Sequence, residues 1–133
     1  MEIRYIELPK KSDERGSLSF MESHKQIPFD IKRVYYIYDL KNDKNIRWEH
    51  AHHETEQVIF CIHGSVILWF DDGQEKKEIK MTEPNIGVYI PINMWHYMKD
   101  FSDWCILLVV ASQHYDEKDY IRNYADFLQS IKK

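Results

Sequence analysis

Arg47-Trp48-Glu49-His50-Ala51-His52-His53-Glu54-Thr55-Glu56-Gln57 crowds three histidines and three carboxylate-bearing residues into eleven positions. In an extended strand, residues two apart face the same side. Trp48, His50 and His52 therefore share one face, while Glu49, Ala51 and His53 share the other. A strand that aims two imidazoles into one space builds either a metal site or an acid–base site.

Further along the chain the same pattern extends to His50-x-His52-x4-Gln57-x6-Gly64, and later to Pro91-x-Asn93-x2-His96. These two spacings resemble the paired half-motifs of cupins. Gln57 stands where a metal-binding Glu is usual. Asn93 stands at the turn Gly, a position Asn tolerates because it accepts a left-handed backbone. The resemblance implies an all-β cupin jelly roll, or double-stranded β-helix, with His50, His52, Gln57 and His96 at the barrel mouth. A Gln amide is a poor, neutral ligand and leaves a divalent ion with its full charge. Glu56, the neighbouring carboxylate in sequence, points to the opposite face. We therefore expect no metal and no cofactor. Imidazoles titrate close to neutral pH, which suits proton removal beside a carbonyl and its return to the adjacent carbon.

Outward from this core the chain reads as short strands separated by turn signals: Ile3 to Ile6, Ser17 to Met21, Ile31 to Tyr38, Trp48 to His52, Val58 to Ile62, Val66 to Phe70, Glu75 to Met81, Ile86 to Ile90, Trp95 to Lys99 and Cys105 to Ala111. The tail changes period. Asp116 is placed to cap a helix with Asp119 in its first turn. Ile121, Tyr124, Ala125, Leu128 and Ile131 recur at helical spacing, and Lys132 and Lys133 suit the far end of the dipole. This reads as one C-terminal amphipathic helix, with no chemistry in it and with Arg122 structural. The 133 residues and 16.2 kDa fit a single domain spanning 1–133. A net charge of −4 and a pI near 6.0 argue against a nucleic-acid partner. No apolar run reaches 18 residues and the N-terminus is charged, so we expect no membrane partner and a cytoplasmic protein. Cys61 and Cys105 sit in apolar runs and read as buried thiols.

The longer blocks are more specific. Asp13-Glu14-Arg15-Gly16-Ser17-Leu18, Lys32-Arg33-Val34-Tyr35-Tyr36-Ile37, His50-Ala51-His52, Trp95-His96 and Tyr115-Asp116-Glu117-Lys118-Asp119-Tyr120-Ile121-Arg122 resemble the dTDP-4-keto-6-deoxyglucose 3,4-ketoisomerases, the WxcM-like C-terminal type within the cupin superfamily. The resemblance implies metal-free isomerisation of a dTDP-linked 4-keto-6-deoxy sugar to the 3-keto sugar. His50 and His52 are the catalytic pair, one removing the C3 proton and the other managing the proton at C4 or its oxygen. It also implies a homodimer with exchanged N-terminal strands, and a product that feeds a 3-aminotransferase making 3-amino-3,6-dideoxyhexoses for surface polysaccharide. The match leans toward the galactose (fucosamine) type. The family usually carries Gly where this chain has Trp48, which puts an indole at one rim of the pocket.

Substrate contacts fall to Arg15, Arg33 and Arg47 for the diphosphate, because guanidinium forks match phosphate oxygens. Tyr36, Tyr38, Trp48, Gln57 and His96 complete the expected pocket. Which parity of the strand Ile31 to Tyr38 faces inward is open: Arg33, Tyr35 and Ile37, or Lys32, Tyr36 and Tyr38. Two other functions compete. One is another metal-free cupin epimerase acting on a nucleotide sugar. The other is a non-enzymatic sugar-binding cupin, which has no need of paired titrating groups.

Overall fold

A computed structural model describes residues 1–132. The chain runs β1 (Tyr5–Glu7), β2 (Lys10–Asp13), β3 (Gly16–Ser19), β4 (Arg33–Ile37), β5 (Arg47–His52), β6 (Gln57–His63), β7 (Val66–Asp71), β8 (Lys76–Met81), β9 (Ile86–Ile90), β10 (Trp95–Lys99) and β11 (Ile106–Ala111). A 3-10 turn (Glu117–Asp119), β12 (Tyr120–Ile121) and the helix α1 (Tyr124–Ser130) follow. Two five-stranded antiparallel sheets form a jelly roll: β1-β9-β6-β11-β4 and β12-β5-β10-β7-β8. β2 and β3 pair only with each other, as a separate ribbon. Among the described residues no helix is long and apolar enough to cross a membrane.

β6 and β11 are near-continuous apolar runs because both their faces are covered. Ile59, Cys61, Leu107 and Val109 face Leu68, Phe70 and Met81 across the sheets. Val58, Phe60 and Val110 point outward and are capped by Ile6, Leu8, Ile27 and Phe29. Each such fully buried side chain contributes roughly 1.5–3 kcal/mol. Two turns are set by backbone that disfavours side chains. Gly64 has φ +82°, and a Cβ there would lie 2.2 Å from Ser102 Oγ. Asn93 sits at φ 56° and donates its N–H to the His52 carbonyl at 2.8 Å.

β5 alternates as expected between two environments. His50 and His52 turn between the sheets, whereas Ala51 turns outward beneath Trp95, Ile121 and Phe127. That outer cover corrects the reading of the tail. Asp116 caps only the 3-10 turn, and its side chain accepts from the Lys118 N–H. Ile121 belongs to a strand, with Tyr120 opposite His52 and Ile121 opposite Ala51. The free backbone edge of β5 outcompetes helix formation there. The helix begins only after Asn123, whose side chain accepts from the Asp126 N–H. Phe127, not Ala125, is its buried anchor. Lys132 lies past the helix end, and Lys133 falls outside the described residues.

The pairing of β5 with β10 contains a bulge. His50 pairs with His96 and Arg47 with Met98, so Trp48 and Glu49 together face the single Tyr97. Trp48 takes the left-handed conformation, φ 60°, and its indole packs edge-on to Phe101 at 5.8 Å between ring centroids. Left-handed backbone costs a non-glycine residue about 1–2 kcal/mol. This reverses the usual strand rule, in which Gly is roughly 0.5–1 kcal/mol worse than Ala. Trp48→Gly is expected to be more stable than Trp48→Ala by about 1 kcal/mol, read from urea unfolding of the two variants. An Ala variant as stable as the Gly variant would contradict the left-handed assignment.

Candidate active site

The two sheets part at one end around a cavity of about 430 Å³. β4, β6, β9 and β11 supply one wall through Arg33, Tyr35, Ile37, Gln57, Ile59, Ile90 and Val109. β5 and β10 supply the other through Trp48, His50, His96 and Met98, and Tyr115, Tyr120 and Arg122 close the rim. The open question of parity in β4 is thereby answered: Arg33, Tyr35 and Ile37 face inward.

The imidazoles form one cluster on the β5–β10 wall. The His50 ring centroid lies 4.5 Å from that of His96 and 4.8 Å from that of His52. His50 Nδ1–H donates to the Trp48 carbonyl at 2.8 Å, and His96 Nδ1–H donates to the Met94 carbonyl at 2.9 Å. A carbonyl only accepts, so both rings carry their proton on Nδ1 and keep a lone pair on Nε2. His50 Nε2 lies 3.1 Å from His52 Nε2, and His52 Nδ1 lies 3.0 Å from Asp119 Oδ2. Burial pushes His50 down to about 2, with His96 and His52 pressing the same way. Burial takes His96 to about 4, against the pull of the Met94 carbonyl. His52 is also lowered by burial, while Asp119 works to raise it.

The facing wall is aromatic and cationic. Gln57 Nε2 donates to the Tyr35 hydroxyl at 2.8 Å, so the residue in the usual place of a metal-binding carboxylate fixes a phenol instead. Burial and the neighbouring Tyr120 raise Tyr35 to about 12, against Arg33 and Gln57. Its hydroxyl is therefore a proton-bearing group at neutral pH. The Arg33 guanidinium lies over the rings of Tyr35 and Tyr115, at 5.4 and 5.7 Å, and its Nε is buried with no partner among the described residues. Arg122 stacks on Tyr120 at 4.3 Å and is held by Glu117. Among the described residues no group of three or more His, Cys, Asp or Glu side chains is arranged to hold a metal ion.

Of the residues singled out from the sequence, His50, His96, Arg33, Gln57 and Trp48 line this cavity. His52 does not line it, being 2% exposed, but its Nε2 meets that of His50 at 3.1 Å. Tyr38 and Arg47 line an adjoining cleft that shares Trp48 and Ile37, with Arg47 paired to Asp43. Tyr36 is a correction: it lies on the outer face of β4, 63% exposed, because the inward parity belongs to its neighbour Tyr35. Arg15 is a second: its side chain is 84% exposed at the tip of the β2–β3 ribbon and pairs with Asp13, away from the cavity of its own chain. The tail, read as free of chemistry, brings Tyr115, Asp119, Tyr120 and Arg122 to the site. The quoted block Tyr115 to Arg122 was the signal that pointed there.

Comparison with known proteins follows the same lines. The family model described as FdtA: WxcM-like, C-terminal matches residues 1–132. The chain is 47% identical over 133 residues to a TDP-4-oxo-6-deoxy-alpha-D-glucose-3,4-oxoisomerase of Aneurinibacillus thermoaerophilus, covering 100% of this chain and 95% of the relative. A 3,4-ketoisomerase from Helicobacter canadensis has a similar structure, with a TM-score of 0.93 and 46% identity, covering 98% of this chain and 97% of that one. A His-to-Asn variant of the 3,4-ketoisomerase QdtA from Thermoanaerobacterium thermosaccharolyticum, in complex with TDP-4-keto-6-deoxyglucose, has a TM-score of 0.93 and 40% identity, covering 96% and 92%.

The histidine environment has a measurable signature. His96 is held below the unfolded imidazole value of about 6.5. The folded state therefore binds fewer protons than the unfolded chain between about 6.5 and about 4. This ring removes stability as pH falls through that window, by at most about 1.4 kcal/mol per pH unit. The His96 ring nitrogens are expected to show no titration between about pH 8 and pH 5 in 15N NMR. A midpoint near 6.5 would mean that the ring is solvated.

Proposed function

The chain belongs to the FdtA family of WxcM-like, C-terminal domains and is a TDP-sugar 3,4-ketoisomerase, and from that premise we propose that it converts TDP-4-keto-6-deoxyglucose to the 3-keto sugar of galacto configuration, His50 moving the proton from C3 to C4. The observation that carries this reading is the placement of all three imidazoles on one wall. His50, His52 and His96 come from β5 and β10, neighbours in one sheet. A proton carrier on one wall takes from and returns to one face of the sugar. In a gluco-configured ring the C3 and C4 hydrogens lie on opposite faces, and in a galacto-configured ring they share one. One-faced transfer therefore yields the galacto product. His50 is the carbon-side base because it is the β5 histidine that lines the cavity. His52 serves the oxygens. The product has the 3-ketone that a 3-aminotransferase requires.

The opposite wall supports a nucleotide diphosphate. Arg33 offers a buried guanidinium with an unused Nε–H, and Arg122 adds a second cation at the rim. Charge-assisted bonds from such forks are about twice as strong as neutral ones. Tyr115 and Tyr120 give the thymine a stacking surface, and Trp48, 41% exposed at the mouth, flanks the hexose.

A homodimer follows from what the single chain leaves uncovered. Every residue of β2 and β3 is exposed. Leu18 is 58% exposed, and the outer face of β4 shows Val34, Tyr36 and Tyr38 to solvent. β4 is also a sheet edge. A ribbon with unpaired backbone and an exposed Leu18, and a free edge with an apolar face, complement each other across a two-fold axis. Such an exchange also carries Arg15 toward the partner's cavity.

Three measurements test these readings. NMR of the product is expected to show the small H4–H5 coupling of an equatorial H4, whereas a large diaxial coupling would exclude one-faced transfer. His50→Asn is expected to lower kcat by about 10²–10⁴-fold with KM little changed, and turnover near that of the parent would remove His50 as the base. Sedimentation equilibrium at micromolar concentration is expected to give twice the 16.2 kDa chain mass. A species of chain mass throughout that range would refute the dimer.

A further inference from the structure

Asp119 has no part in the chemistry described so far, yet its carboxylate is the most heavily bonded side chain near the site. Oδ2 accepts from His52 Nδ1–H at 3.0 Å and from the Thr55 hydroxyl, and Oδ1 accepts from the Glu54 N–H at 2.7 Å. Its backbone carbonyl takes the His53 N–H at 3.0 Å. Burial works to raise this carboxyl, but the bonds from Thr55, Glu54 and His52 outweigh it and hold it below the usual range. It is a fixed negative charge with its side chain only 10% exposed, behind a ring that is 2% exposed.

Counting protons gives this charge a task. His50 Nδ1 faces a carbonyl, so it carries a proton. His52 Nδ1 faces a carboxylate, so it carries one too. The two Nε2 atoms then meet at 3.1 Å, and two lone pairs at that distance repel unless a third proton sits between them. The acid form of the pair thus holds one proton more than two neutral rings. When the pair takes up that proton, the charge rests on His52, beside Asp119, since nothing anionic touches His50.

Building on the proton-transfer reading above, we infer that Asp119 is a positioning residue that makes His52 the oxygen-side acid, and that the His50–His52 contact stores the proton this acid gives. When the sugar's O4 takes over the hydrogen bond from His52 Nε2, the His50 lone pair is released toward C3. His50 takes the C3 proton, the C3–H electron pair forms the C3=C4 bond, and the carbonyl π pair takes the proton of His52 at O4. This leaves a neutral enediol, protonated His50 and neutral His52. In the second half His52 takes the O3 proton as C3=O3 forms, and the C3=C4 pair takes the proton of His50 at C4. Both rings return to their starting states. Asp119 stays ionised throughout, stabilising charge on His52 and holding its tautomer.

Asp119→Asn separates this role from a structural one. The amide keeps an oxygen for the Glu54 N–H but turns an NH2 toward His52 Nδ1 and the Thr55 hydroxyl, which accepts instead of donating, and this forces the ring proton to Nε2. The expected loss in kcat is about 10²–10⁴-fold, with KM within several-fold and with part of the loss recovered in Asp119→Glu. The groups facing His52 are His50, His96, Tyr120, Arg33 and Arg122 besides Asp119. Asp119 is the anion among them. Its removal is expected to lower the His52 pKa and shift the alkaline limb of kcat to lower pH. A purely structural role would lower kcat in Asp119→Glu as much as in Asp119→Asn and leave the pH profile in place. A 15N NMR titration of the unsubstituted enzyme gives a reading that needs no variant: Asp119 is expected to hold the His52 proton on Nδ1 at neutral pH, with the second proton entering at Nε2 below the ordinary imidazole range, where burial puts it. A neutral His52 with its proton on Nε2 would overturn the inference. Should His50→Asn be inactive while Asp119→Asn keeps full turnover and its pH profile, the Asp119 role fails and the His50 reading stands. Full turnover in both would sink the two together.

Discussion

β5 has to hide both of its faces, and the rest of the molecule is arranged around that requirement. Its inner face carries two imidazoles that lose hydration on burial, and such groups stay folded only when each polar atom finds a partner. Its outer face carries Ala51, too small to seal anything alone. The neighbouring strand β10 supplies His96 directly opposite His50, the left-handed Asn93 binds the His52 carbonyl, and the chain after β11 returns to cover the outside. Tyr120 and Ile121 pair with the β5 edge, Asp119 takes His52 Nδ1, and Phe127 buries Ala51 and Trp95.

The cavity behind β5 inverts the character of the protein. The chain is acidic overall, with a net charge of −4, but the cavity lining presents Arg33 and Arg122, each over a tyrosine ring. Guanidinium on an aromatic face keeps its charge while shedding water. An anion entering there meets a local field opposite in sign to the net charge, which favours capture of a polyanionic ligand without a basic surface elsewhere.

The inner half of the site was legible because it obeys short rules. Alternation by two placed His50 and His52 on one face, and strand pairing brings His96 to the same point. Asn93 announced a turn made by left-handed backbone. The outer half was not legible, for physical reasons. Ile121, Tyr124, Ala125, Leu128 and Ile131 do recur at helical spacing, but the first of them is drawn into a strand by an edge 70 residues away in sequence (Ile121 opposite Ala51). The value of Asp119 depends on partners 64 to 67 residues distant, and no local pattern encodes them. In β4, β-forming side chains occupy both parities. The choice between Tyr35 and Tyr36 was therefore made by which neighbour covers which face.

That separation in sequence also orders events during synthesis. His52 is made 67 residues before Asp119, an interval of roughly 3–13 s at ordinary translation rates of about 5–20 residues per second. Throughout it the nascent chain can pair β5 with β10 only once β10 has emerged, and its other edge waits longer still. The barrel can close before the ribosome has delivered the group that orients its buried histidine. A nascent chain stalled within that window would carry much of the fold with an unguarded strand edge, and no completed proton pair.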